Sequence, residues 1–174
     1  MDAALALWFH LPTDAPPGPM TEGISSVSQR ELMAAEDAGW NELTSLAARL
    51  TLEEMERPGY FPEGWSVKDT LAHIGTWLAE AAVALEQIRS GTYQDGELDV
   101  DEMNARFLDA MRDMPLDVVR AQAWSARTRM LQEWEWLPAL GPEALGWIRK
   151  SGADHYAEHL PRLREWVAEL IAER

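Results

Sequence analysis

Val67, Leu71, Ile74, Trp77, Leu78, Ala81, Leu85 and Ile88 recur at three- and four-residue steps. That spacing draws one apolar stripe along an α-helix and cannot be laid on one face of a strand. The stripe opens at Ser66, a residue type that caps helices, with Asp69 at the capping-box position three residues on. It closes at Ser90-Gly91, where glycine suits the position after a helix. A chain carrying such a rod must bury the stripe against other elements, and no other segment shows strand alternation or a hairpin turn. The remaining elements are therefore expected to be helices too.

The periodicity repeats along the chain. Residues 28–50 place Leu32, Ala35, Trp40, Leu43, Leu46, Ala47 and Leu50 on one face, with Ser28 and Glu31 as the expected capping box. Gly39 weakens the middle of this helix without breaking it. A short turn is expected at residues 52–56, followed by a loop at Pro58, Gly59, Pro62 and Gly64. After the polar connector 91–98, helices are expected from about Asp99 to Arg112 and from Pro115 to about Leu137. Gly141-Pro142 opens a short turn through Trp147. A last helix then starts near Ser151 and runs to the end. Pro161 lies inside it and costs about 3 kcal/mol at an interior position. The apolar period nevertheless continues through Leu163, Val167 and Leu170. The expectation is one all-α domain, a four-helix bundle with irregular connections.

Residues 1–25 fall outside this pattern. A short apolar run, residues 3–11, precedes Pro12, Pro16, Pro17 and Pro19. Asp2 stands where a signal peptide wants positive charge, and there is no Lys or Arg before Arg30. These residues read as an N-terminal extension, with Met20 as an alternative translation start, and the domain proper as residues 26–174. His10, within the extension, is expected to have no site role.

Charge and composition narrow the function. The 174 residues carry a formal net charge of -15. That field repels phosphate backbones and speaks against nucleic-acid binding. No apolar run reaches the length of about 18 residues needed to span a membrane. There is no cysteine, which removes disulfides, thiolate ligands and a cysteine nucleophile, and fits a reducing, cytoplasmic setting.

The chemistry-bearing stretch is Asp154-His155-Tyr156-Ala157-Glu158-His159. Histidines four apart lie about 40° apart around a helix and one turn apart along it, so both imidazoles can reach one metal ion. Only four histidines are present, so a third ligand would be His10 or His73. His155-x-x-Glu158-His159 also fits the H-x-x-E-H protease signature, in which the glutamate is the general base. That class needs a carboxylate ligand far downstream, and fifteen residues follow His159, so a protease is not expected. Glu158 lies about 60° from His155 around the helix and is either a flank of the metal pocket or a surface carboxylate. Asp69, Trp77 and Glu80 share the stripe of His73, and Ser151, Arg162 and Trp166 share that of His155 and His159. An interior Arg162 would require an acid partner, with Glu80 one candidate, or an anionic ligand. Ordinary core and capping roles explain Asp69 and the two tryptophans well and are the expected reading of them.

Gly64-Trp65-Ser66-Val67-Lys68-Asp69-Thr70-Leu71-Ala72-His73-Ile74 resembles the second-helix signature of the DinB-like superfamily. Asp101-Glu102-Met103-Asn104-Ala105-Arg106, followed by Met114-Pro115-Leu116, resembles the middle of its ClbS/DfsB branch. His155-Tyr156-Ala157-Glu158-His159-Leu160-Pro161 resembles that branch's last helix. The resemblance covers residues 28–174. It implies a four-helix bundle with a long crossover between the second and third helices, together with short extra helices, and a homodimer. It also implies a divalent metal, zinc or nickel, on His73, His155 and His159, although some ClbS/DfsB members lack these histidines. Trp77, Asn104, Arg162 and Trp166 would line the pocket, with Asn104 entering through the branch resemblance alone. The implied activity is hydrolysis or thiol-dependent transfer on a small electrophilic molecule, in detoxification or self-protection. It would use a low-molecular-weight thiol, with Glu158 or Glu80 accepting a proton. The alternative is a non-catalytic bundle that binds a small ligand or serves in a stress response.

Overall fold

The computed structural model describes residues 26–62, 64–96 and 99–174. The extension at residues 1–25, with His10 and Met20, lies outside them. Seven helices are present among the described residues: α1 (Ser26–Ala47), α2 (Leu52–Glu56), α3 (Val67–Ser90), α4 (Val100–Met111), α5 (Leu116–Glu135), α6 (Pro142–Ser151) and α7 (Ala153–Ala172). None is long and apolar enough to cross a membrane.

α1, α3, α5 and α7 form the bundle. α1 and α7 run parallel, because Glu36 meets Tyr156, Glu42 meets Arg164 and the Arg49 carbonyl meets Arg174. α3 and α5 are also parallel, with Gly75 against Ala123, Glu86 against Arg129 and Arg89 against Glu133. Consecutive parallel helices need a long return connection. Residues 91–115 supply it and carry α4 across α3. The expected all-α bundle with a long crossover and short extra helices is therefore the observed fold.

Local signals placed the helix ends. Ser66 and Asp69 form the capping box of α3, and Gly91, at φ 72°, ends that helix in the left-handed conformation. Thr51 and Glu54 do the same for α2. Three expectations need correction. α1 starts at Ser26, so Ser28 lies inside it rather than capping it. Pro115 stands at the N-cap of α5 instead of within its first turn. The segment after Gly141-Pro142 is a full helix through Ser151, because Ala144 and Ile148, one turn apart, are both buried in the core. Ser151 thus closes α6, and Gly152 turns the chain into α7.

Pro161 sits inside α7 as expected, and the helix continues past it. Leu160, Leu163, Trp166, Val167 and Leu170 are all buried. At roughly 1.5–3 kcal/mol for each large side chain, their burial exceeds the cost of one proline.

Two carboxylates are buried among the described residues: Glu133, which pairs with Arg89, and Glu36, which anchors a charged knot. Glu36 is fully buried on α1. It accepts from Arg127 Nε of α5 at 2.8 Å and from the Tyr156 hydroxyl of α7 at 2.9 Å. Arg127 also pairs with Asp37. Gly39 lies one turn beyond Glu36, and the Tyr156 ring fills the space a side chain would need there. A Cβ at residue 39 would stand 2.7 Å from Tyr156 Cδ2. The glycine that weakens α1 as a helix is what allows α7 to approach it.

This makes Gly39→Ala and Gly146→Ala opposite cases. In a helix interior alanine ordinarily gains about 1 kcal/mol over glycine, and a Cβ at Gly146 meets nothing within 4 Å. Gly146→Ala is expected to stabilise the chain by about that amount. Gly39→Ala must displace a ring whose hydroxyl is pinned to Glu36, and is expected to cost about 1–3 kcal/mol. Urea denaturation of the two variants checks both signs.

Candidate metal centre

The stripe of α3 turns His73 into the bundle. The first two turns of α7 bring His155 and His159 to the same point. All three are buried, at 7%, 2% and 8% exposure. Nε2 of His73 lies 2.9 Å from Nε2 of His155, and one ring nitrogen from each of the three lies within 4.8 Å of the others. An ion about 2.1 Å from each nitrogen places its ligands about 3.0–3.4 Å apart, for right-angle to tetrahedral geometry. The observed separations bracket that range.

The protonation states suit ligands. Burial holds His73 well below the usual imidazole value, and the neighbouring His159 adds to the shift. His155 is lowered well below it by burial, then by His73 and His159, while a backbone hydrogen bond with Ser151 opposes the shift. Burial lowers His159 to about 4. At neutral pH each is an uncharged imidazole with a lone pair to give. A backbone partner for one histidine is the usual means of orienting a ligand ring.

Aromatic rings enclose the histidines. The Trp65 ring packs edge-on to His73 at 5.5 Å between centroids, and Phe61 packs on His159 at 6.0 Å. The Tyr60 hydroxyl donates to the His159 carbonyl. These three residues follow α2 and were not foreseen as neighbours of the site. The signal was Trp65, an apolar residue beside the helix cap and eight positions before His73.

The other expected residues divide by place. Trp77 is buried one turn after His73, and its indole N–H donates to Asn104 Oδ1 at 2.9 Å. Asn104 is buried on α4, so the crossover helix is tied to the histidine stripe through this pair. Trp166 is buried on α7 with its ring 6.1 Å from that of Tyr60. Arg162 does not meet Glu80. It lies at the edge of the bundle between the Tyr60 and Trp166 rings. It donates to the Tyr60 carbonyl and pairs with Glu169 and Glu165. The reason is geometric: Glu169 is on Arg162's own helix two turns on, whereas Glu80 is two turns past His73 on α3. Asp69 serves as the α3 cap. Glu80 is half-buried, and Glu158 lies on the exposed side of α7. Partial desolvation, then the charge of Asp154, raises the Glu158 carboxyl to about 7.

With this geometry in hand, comparison with known families is decisive for residues 37–170, which match the model of the mycothiol maleylpyruvate isomerase N-terminal domain. The chain belongs to that family. It is a DinB-like, metal-binding and mycothiol-related domain family, and the match spans all three histidines. No curated protein and no solved structure matches the chain.

The buried histidines make the metal-free chain acid-sensitive. Their folded-state values lie below the unfolded value of about 6.5, so the unfolded chain binds more protons as pH falls through that window. Stability is therefore present above about pH 6.5 and is lost towards pH 4. Glu158 works in the opposite direction, because its raised value makes the folded chain take up a proton as pH falls through 7. Comparison with His159→Ala separates the two. The stability of the parent relative to this variant is expected to drop between pH 7 and pH 4, by on the order of 3 kcal/mol. Chemical denaturation in the presence of a chelator measures it.

Proposed function

We propose that the chain binds one divalent ion, zinc or nickel, through His73, His155 and His159. With it the protein acts as a hydrolase or thiol-dependent transferase on a small electrophilic molecule. The observation that carries this reading is the convergence of three neutral imidazoles in a buried space. Three nitrogen ligands leave a coordination position for a reactant, the donor set of a catalytic rather than a structural centre. When bound, the ion supplies Lewis-acid charge and lowers the pKa of a water or thiol at the open position.

The protein's own groups supply the rest. Trp65 and Phe61 keep water from the histidines and offer apolar surface to a substrate. The Trp77–Asn104 hydrogen bond holds the wall between α3 and α4. Glu158, raised to about 7, is matched to accept a proton at neutral pH, and Glu80 is the second candidate for that role. Arg162 and Trp166 hold the segment around Tyr60 against α7. The family's description supports mycothiol or a similar low-molecular-weight thiol as co-substrate. The ClbS/DfsB-like stretches at Asp101–Arg106 and in α7 support a reactive small molecule as the partner, in detoxification or self-protection.

Metal analysis of protein purified without a histidine tag tests the centre. Near-stoichiometric zinc or nickel is expected, with loss in His73→Ala and His155→Ala. A metal-free parent that regains none on dialysis against either ion would sink the proposal. For the reaction, epoxides, cyclopropanes and thiol conjugates are offered with and without a low-molecular-weight thiol. Glu158→Gln is expected to keep the metal and lose about 10²–10⁴ in rate. Full metal without turnover across the panel would favour a ligand-binding bundle over an enzyme.

A further inference from the structure

Asn104 is the only buried residue of α4, at 8% exposure. A crossover helix that needed no more than attachment to α3 would bury an apolar side chain there, because a buried amide with an unused donor is unfavourable. The orientation of this amide is decided. An indole N–H can only donate, so the atom 2.9 Å from Trp77 Nε1 is the oxygen of Asn104. Nδ2 therefore stands on the opposite branch. It has no hydrogen-bond partner among the described residues and is not sealed from open space. We propose that these N–H groups hold the carbonyl oxygen of the substrate, and that the substrate is an electrophile whose reactive carbon is conjugated to that carbonyl.

The placement of α4 carries this assignment, which rests on the metal-centre reading above. Asn104 meets Trp77, and the Arg112 carbonyl at the end of α4 accepts from Lys68 at the start of α3. α4 thus runs antiparallel to α3 across the stretch that contains His73. The Phe107 ring packs edge-on to Trp77 at 5.6 Å, one turn along α4 from Asn104, and fixes the register. Trp77 lies one turn beyond His73, about 6 Å along the axis. The amide donor and the three histidines therefore stand about one small molecule apart, with aromatic rings around them.

That separation selects among electrophiles. An epoxide carries its oxygen on the carbon that is attacked. A conjugated carbonyl places its oxygen three bonds away, so a nucleophile at the histidines and a donor at Asn104 can act on it together. As a thiol adds, its S–H bond breaks and an S–C bond forms at the far carbon. The C=C electron pair shifts towards the carbonyl, and negative charge gathers on the oxygen that Asn104 holds. The thiol proton ends on the carbon beside the carbonyl, and nothing is oxidised or reduced. A donor fixed in advance where that charge develops stabilises the transition state more than the ground state.

Asn104→Asp separates this role from attachment. It keeps an oxygen for the Trp77 N–H and exchanges the amide donors for an acceptor. In mildly alkaline buffer, addition of mercaptoethanol to benzylideneacetone is expected to fall about 10²–10³-fold in the variant. Benzyl chloride, which has no acceptor oxygen, should keep its rate within about threefold. Benzylacetone, the saturated ketone, tests the contact without turnover. The variant is expected to bind it about tenfold more weakly. Infrared difference spectra should show its carbonyl stretch lowered in the parent protein, relative to hydrocarbon solvent, and not in Asn104→Asp.

Equal losses with both electrophiles, or unchanged benzylacetone binding, overturn the proposal. If Asn104→Asp lowers the urea midpoint, the carbonyl frequency in the parent decides alone, and a value equal to that in hydrocarbon overturns it. A parent protein that holds no metal yet lowers the carbonyl frequency refutes the metal centre and supports the Asn104 contact. Full metal with no lowering refutes the Asn104 contact and leaves the metal centre standing.

Discussion

The buried carboxylate of Glu36 governs how this bundle is assembled. An isolated charge in the core costs several kcal/mol, and it is tolerated only when paired and fully hydrogen-bonded. Arg127 from α5 and the Tyr156 hydroxyl from α7 supply those partners, and no rotation of either helix preserves both bonds. The knot therefore sets the angle of α7 about its own axis. His155 precedes Tyr156, so the same constraint decides which way the first imidazole points. Gly39 completes the arrangement by leaving room for the tyrosine ring.

The metal centre inherits its precision from this frame. Two of its histidines share a helix and are aligned by the helical repeat alone. The third arrives on α3, held parallel and close to α5 by Gly75 against Ala123, where an added Cβ would stand 3.0 Å from its neighbours. A side chain at residue 75 would move α3, and with it His73, two residues away. Burial then keeps the imidazoles neutral, so packing produces both the geometry and the chemistry of a ligand set.

Much of this was legible in the residues. The 3.6-residue period, the Ser66–Asp69 and Thr51–Glu54 caps and Gly91 fixed the helices to within a few positions. The HxxxH spacing with His73 in its motif named the histidines that converge. The misses have physical causes. α6 is short and is held by two buried apolar residues, Ala144 and Ile148, too few for a period. Arg162 satisfied its charge along its own helix, which a view of interior stripes does not reveal. Glu36 was visible in principle, since it lies one turn after Leu32 and one turn before Trp40 on the apolar stripe of α1. A carboxylate there asks for a buried cation, but the sequence does not say which arginine answers.

By itself, then, the sequence determined the all-α class, most helix ends to within a few positions, and the His155–His159 pair. All of these depend on local backbone preferences and on residue spacing within single helices. His73 as their partner came from the resemblance of its motif to the DinB-like second helix. Only the tertiary structure decided that Glu36, Arg127 and Tyr156 form one knot, that Trp65 and Phe61 enclose the histidines, and that Asn104 meets Trp77. Each of these joins residues far apart in the chain, and such pairings follow from how helices pack rather than from the pattern along any one of them.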